Sequence, residues 1–364
     1  MSEQKAYLLL ANGQVFEGKS FGVTGTTIGE VVFATGMTGY QETLTDPSYY
    51  GQIAVQTFPL NGNYGANSED FSSSECWMKG YIVREWCEAP SNFRCEKTID
   101  AFMKEQNVIG LYGIDTRQLT RIIREHGVMN GVITTEDVYA KKDELLAQVQ
   151  AYEIKDAVKA VSTTEQKTYT TEAAKYHVVM MDFGAKAYLV QQLLSRECNV
   201  TAVPYNTTAE AVLALNPDGI LLSNGPGNPA ENVEVVAEVK KLMAAAVPMF
   251  GVGLGHQLLA LANGAQTEKL KHGHRGGNQP VKDLATGRVY ITSQNHGYAV
   301  AADSMDAAVA EVSHWNVNDK TCEGLVYKNS PAYSVQFQPE GCGGKQNTGD
   351  LFNRFMELMD KEGK

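Results

Sequence analysis

Val247-Pro-Met-Phe-Gly-Val-Gly-Leu-Gly-His-Gln-Leu-Leu-Ala-Leu-Ala-Asn263 decides the fold. A short apolar run, Val247–Gly251, breaks on alternate glycines and passes at once into a helical stretch from about His256 to Asn263. A strand that turns sharply into a helix lifts one side chain above the sheet, the geometry of a nucleophile elbow. A dinucleotide loop competes, because Gly251 and Gly253 open a G-x-G-x-x-G pattern. It fails at the third glycine, where His256 stands, and this turn is not the first of its series.

Outward from the elbow the same grammar repeats. Val178–Asp182 reads as a strand, Ala185–Arg196 as a helix, and Val200–Val203 and Ile220–Leu222 as strands. A helix through Val233–Ala245 then leads to the elbow strand. Strands alternating with amphipathic helices predict an α/β domain, doubly wound on a mostly parallel sheet, over residues 177–364. Such sheets place ligands at the carboxyl ends of their strands.

Upstream, residues 153–176 lose periodicity and become threonine-rich, which suits a linker. Residues 1–152 form a β-rich α/β domain of different character. Gln14–Phe16, Glu30–Phe33 and Gln52–Thr57 are strand-like, between glycine, asparagine and proline clusters. One helix is clear: Asp115 caps it, Leu119, Ile122 and Ile123 form its apolar stripe, and Gly127 closes it. A second is predicted from about Thr135 to Tyr152.

The 364 residues suit two domains, and 43% hydrophobic content supplies their cores. A net charge of −11 argues against nucleic-acid or anionic-membrane partners, which want a basic face. No run reaches the roughly 20 apolar residues of a membrane span, and the polar start lacks a signal-peptide core. Cysteines 76, 87, 95, 198, 322 and 342 are scattered, without zinc spacing, and read as reduced thiols of a cytoplasmic protein; no metal site is expected.

Three further motifs fall at strand ends or in later loops. Ser223-Asn-Gly-Pro-Gly-Asn-Pro229 follows a strand, and its glycines let backbone amides approach an anion, although a plain tight turn reads the same. Ser293-Gln-Asn-His-Gly-Tyr298 and Val335-Gln-Phe-Gln-Pro-Glu340 are unremarkable singly. Their weight comes from sharing one α/β domain, in this order, with the elbow.

Together these motifs resemble class I glutamine amidotransferases, and within them the small subunit of carbamoyl-phosphate synthetase. Thr38-Gly-Tyr-Gln-Glu-Thr-Leu-Thr-Asp-Pro-Ser-Tyr49 and Gly113-Ile-Asp-Thr-Arg-Gln-Leu-Thr-Arg121 look like hallmarks of that subunit's N-terminal domain. Gly255-His-Gln-Leu-Leu-Ala260, Gly273-His-Arg-Gly-Gly-Asn278 and Gln294-Asn-His-Gly297 match its second domain. The resemblance covers nearly the whole chain. It implies glutamine hydrolysis, with ammonia passed to a large subunit that uses ATP, magnesium and bicarbonate to make carbamoyl phosphate for arginine and pyrimidine synthesis. No cofactor is implied for this chain itself.

The resemblance also exposes a defect. The family's nucleophilic cysteine aligns with Gly253 and its histidine base with Gln338, while the orienting carboxylate is retained as Glu340. By the same resemblance, the Leu254 and Gly225 amides would form the oxyanion hole. Ser48, Gly227, Gln257, Asn295, Gly297 and Tyr298 would hold glutamine. The implied protein is a subunit of the synthetase that keeps its partnership, and L-glutamine binding, without its own glutaminase step. Two alternatives stand beside it: a stand-alone glutamine-binding regulator, and residual hydrolysis through another thiol such as Cys342.

Overall fold

The computed structural model describes residues 4–341 and 348–362. The chain divides into two compact units, Met1–Ala157 and Val158–Lys364.

In the first unit the strands are β1 (Lys5–Leu10), β2 (Val15–Gly22), β3 (Thr26–Ala34), β4 (Gln52–Gln56), β5 (Leu60–Asn61), β6 (Gly80–Val83), β7 (Glu85–Trp86), β8 (Ile109–Tyr112) and β9 (Met129–Thr134). Seven of them close a barrel in the order β1-β2-β8-β6-β4-β3-β9, and β5 and β7 pair separately. The helices are α1 (Tyr40–Leu44), α2 (Ile99–Glu105), α3 (Thr116–His126) and α4 (Lys142–Ala151). Strand alternation sorts side chains between two cores: Val31, Phe33, Ile53 and Val55 pack with Leu119 and Ile123 of α3. Val32, Ala54 and Tyr81 pack with Phe102 and Met103 of α2. Burial on both faces explains why these strands read as continuous apolar runs.

The Asp115 carboxylate accepts from the Gln118 amide, and Gly127 ends α3 at φ 91°. The second predicted helix starts later, at Lys142 rather than Thr135. The Asp137 carboxylate caps the amide of Tyr139 in a turn there, so the chain is not yet helical.

The second unit opens with α5 (Ala157–Val161) and β10 (Lys167–Tyr169), inside the stretch read as a linker. Val158 joins the core and β10 pairs with the following β12, so the threonine-rich segment is an edge strand with exposed side chains. The remaining elements are β11 (Tyr176–Asp182), α6 (Ala187–Leu194), β12 (Cys198–Pro204), α7 (Ala209–Ala214), β13 (Gly219–Leu222), α8 (Val233–Ala244), β14 (Met249–Val252), α9 (Leu254–Ala262), β15 (Gln266–Asp283), β16 (Val289–Ala301), β17 (Ala310–Asn316), β18 (Cys322–Tyr327), β19 (Ala332–Val335) and α10 (Asp350–Glu362).

The sheet runs β10-β12-β11-β13-β14-β19-β18-β16-β15-β17. Its centre, β12-β11-β13-β14-β19, is parallel, and antiparallel strands flank it. Helices cover both faces. Val179 and Met181 face α7, α8 and α9, whereas Val178 and Met180 face α6 and α10. This is the doubly wound arrangement. Its parallel core is narrower than the alternation suggested, because β15 to β18 add an antiparallel wing. No helix among the described residues is long and apolar enough to cross a membrane.

Candidate functional site

Four parallel strands end on one edge, and each continues into a loop that carries site residues. β14 ends at Val252, and Gly253 stands as the N-cap of α9 with φ 57° and ψ −110°. That conformation is reached comfortably only by glycine and is the strained turn of an elbow. The neighbouring glycines are fixed by packing. A Cβ at Gly251 would lie 2.6 Å from Leu259 Cδ1, and one at Gly255 2.2 Å from the Leu222 carbonyl oxygen. At Gly253 the nearest atom to such a Cβ is Asn224 Cβ at 3.2 Å, a milder crowding than at its neighbours, so backbone strain is the larger obstacle to a side chain there.

The loop after β13 reaches the elbow. Gly255 donates to the Ser223 carbonyl at 3.0 Å. A Cβ at Gly225 would lie 2.3 Å from the Phe183 carbonyl oxygen and 2.9 Å from Leu254 Cδ2, so only glycine fits between those two segments. Gly225 and Leu254 are thus neighbours, as an oxyanion hole requires. Leu254 opens α9, where helix geometry supplies no acceptor for its N–H. Gly227 turns the same loop at φ 88°.

Gln257 is buried one turn into α9. Its Nε2 donates to the Tyr298 carbonyl at 2.6 Å and to Gln336 Oε1 at 2.8 Å. With both amide hydrogens spent, it offers a ligand an acceptor oxygen, which suits an ammonium rather than a carboxylate. Asn295, Gly297 and Tyr298 follow one another on β16, each half-buried. Ser48 belongs to the first unit, on a 3₁₀ turn whose start is capped by the Asp46 carboxylate, which accepts the Ser48 amide.

The chain after β19 carries the other two positions. Gln338 is 8% exposed and donates its amide to the Ser293 carbonyl at 2.9 Å, which ties the loop to β16. Glu340 is buried, and its Oε1 lies 2.7 Å from Lys186 Nζ, with both side chains fully enclosed. Its Oε2 has no hydrogen-bond partner among the described residues. An imidazole N–H would be a natural donor to such an oxygen, and Gln338 carries none. Cys342 lies outside the described residues.

Sequence reasoning missed Lys186. The run Ala185–Arg196 reads as one helix, but α6 starts at Ala187, and Lys186 is its extended N-cap at φ −77°, ψ 142°. The loop is held by Asn224, whose Oδ1 accepts the Lys186 amide and whose Nδ2 donates to the Gly184 carbonyl. The signal was present as a lysine directly before an apolar helix, where a surface role is the default. His256 is fully buried with Nδ1 2.7 Å from Ser334 Oγ; burial pushes its pKa down to about 3.

Comparison with known proteins agrees with this architecture. Residues 8–133 match the family described as carbamoyl-phosphate synthase small chain, CPSase domain, and residues 179–358 match glutamine amidotransferase class-I. The carbamoyl phosphate synthase small chain of Listeria monocytogenes serotype 4b is 50% identical over 357 residues, covering 98% of this chain and 97% of that one. The protein of the same name from Clostridium perfringens is 49% identical, covering 97% and 99%. That from Bacillus anthracis is 49% identical, covering 99% and 98%. With both units matched and relatives about half identical end to end, the chain belongs to the carbamoyl-phosphate synthase small-chain family, with a class I glutamine amidotransferase domain.

Proposed function

We propose that this chain supports carbamoyl phosphate synthesis as the small subunit of a complex whose own glutaminase step is lost. A large subunit carrying the ATP and magnesium chemistry is its partner, free ammonia is the nitrogen donor, and the pathways served are arginine and pyrimidine synthesis in the cytoplasm. The observation that carries the reading is the elbow itself: its apex, Gly253, has no side chain. Glutamine hydrolysis needs a thiolate to attack the amide carbon and a base to take the thiol proton and return it to ammonia. Gln338, at the base position, cannot titrate near neutral pH. In triads measured elsewhere, removing the nucleophile or the base alone costs about 10⁶-fold in kcat.

No activated thiol among the described residues of this unit replaces the lost one. Cys198 and Cys322 are buried, and desolvation pushes both pKa values up to about 12, so each stays a thiol at neutral pH. The binding elements support retained affinity for L-glutamine: the glycine-lined loop after β13, the acceptor oxygen of Gln257 and the half-buried Asn295, Gly297 and Tyr298 of β16. A direct test is ammonium release from glutamine by the purified chain. The reading expects no release above a buffer blank, and multiple turnovers that survive Cys342→Ser would defeat it.

A further inference from the structure

The antiparallel wing brings together three groups that no spacing in the sequence connects. His274 lies on β15, His296 on β16 and Glu323 on β18. All three are buried, and one ligand atom from each lies within 4.8 Å of the other two.

Their outer partners already orient them. His296 Nδ1 is 2.7 Å from the Tyr298 carbonyl oxygen, which can only accept, so Nδ1 carries the hydrogen and Nε2 points inward. His274 Nε2 is 2.8 Å from Asp319 Oδ2, which turns His274 Nδ1 towards Glu323 Oε1, 3.4 Å away. Glu323 Oε2 accepts from Gln294 Nε2 at 3.0 Å. A histidine whose outer nitrogen donates to a carboxylate or a carbonyl is the usual supported ligand of a metal ion.

The facing atoms are closely spaced, and Asn316 Nδ2 donates to Glu323 Oε1 at 3.2 Å and lies 3.5 Å from His274 Nδ1. His296 Nε2 lies 3.0 Å from Gln294 Oε1, while the Gln294 amide nitrogen is committed to Glu323. With Nδ1 protonated and the Gln294 amide oriented this way, two lone pairs face each other. Ligand atoms on a tetrahedral zinc, each at about 2.0–2.1 Å, stand roughly 3.3 Å apart. The 3.0 Å and 3.4 Å separations both fall near that edge.

We propose that His274 Nδ1, His296 Nε2 and Glu323 Oε1 bind a divalent metal of the zinc class, with Gln294 Oε1 or a water as fourth ligand. Two imidazoles and one carboxylate select zinc over calcium or magnesium, which prefer all-oxygen sets. The ion would tie β15, β16 and β18 together and so stiffen the strand that carries Asn295, Gly297 and Tyr298. The absence of a metal expected from the sequence rested on spacing within one segment, whereas these ligands come from three strands.

The test uses the full chain freed of metal by a chelator, titrated with Co²⁺ and then with Zn²⁺ against a chromophoric competitor. One equivalent of cobalt should bind with the intense visible absorption of a tetrahedral site, zinc should displace it, and zinc should raise Tm. Glu323→Gln and His296→Asn should each weaken zinc binding at least tenfold. Asp319→Asn, at the half-exposed outer partner, should weaken it about tenfold without removing a ligand. Absence of the tetrahedral cobalt band in the unaltered chain overturns the proposal, as does unchanged zinc affinity in the Asp319 variant together with any one folded ligand variant. Neither readout involves glutamine or a partner, so this outcome is independent of the functional reading.

Discussion

Lys186 Nζ and Glu340 Oε1 meet at 2.7 Å with both side chains fully buried, Glu340 standing two residues beyond Gln338. The lysine compensates the charge of the buried carboxylate. Removing one partner of a buried pair costs about 3–5 kcal/mol, because the other charge is stranded. Lys186→Met should therefore lower the denaturant midpoint strongly at unchanged m-value. Lys186→Met with Glu340→Leu should recover most of the loss. A double variant no more stable than the single one would show that the pair does not act as a unit.

Gly253 should stabilise the domain relative to any residue that carries a side chain there. Its φ of 57° and ψ of −110° are strained for a side chain by about 1–3 kcal/mol. A Cβ would also press on Asn224 at 3.2 Å. Gly253→Cys and Gly253→Ala should both melt lower, by a few degrees for a unit of this size. Higher melting of either variant would contradict the strain account.

On the proposed reading the elbow without a side chain at Gly253, and a Glu340 Oε2 with no hydrogen-bond partner among the described residues, make the glutaminase defect repairable. Gly253→Cys alone should remain inactive, as should Gln338→His alone, because triad members act as a unit. The double variant should regain glutaminase activity, read as ammonium release. Its histidine should also give Glu340 Oε2 a donor. Failure of a folded double variant would mean that further residues have drifted from the catalytic geometry.

Much of this site was legible in the sequence because steric necessity leaves a mark there. Gly225, Gly251 and Gly255 sit where a Cβ would strike backbone or packed side chains, and glycine is the visible consequence. The alternation of β11 to β14 with their helices is likewise local in sequence. Lys186 was hidden because one residue of N-cap geometry turns an apparent helix-surface lysine inward. The cluster of His274, His296 and Glu323 was hidden because it depends on antiparallel pairings between distant segments. The edge strand β10 was mistaken for a linker because its side chains are all exposed and so carry no apolar period.

Acid should destabilise the second unit through two histidines held neutral by burial. His256 is pushed down to about 3 and His314 to about 4, both below the unfolded value near 6.5. Below pH 6.5 the unfolded chain takes up these protons and the folded chain does not, so stability falls with pH through that window towards pH 4. Chemical denaturation of His314→Asn and His256→Asn should show a shallower loss between pH 6.5 and 4 than the unaltered chain. An identical slope would remove both groups as the cause.

Glutamine recognition is testable apart from catalysis. Calorimetry should detect L-glutamine binding in the millimolar range or tighter. Gln257→Leu should abolish it by removing the acceptor and freeing the Tyr298 carbonyl from its donor. Absence of heat at millimolar glutamine would reduce the retained elements to scaffolding.

The most direct measurement reconstitutes the chain with a carbamoyl-phosphate synthetase large subunit and follows carbamoyl phosphate formation with either nitrogen donor. Synthesis at ordinary rates from ammonium, with none above background from glutamine, is the predicted result. Glutamine-dependent synthesis at rates comparable to those with ammonium would contradict the account.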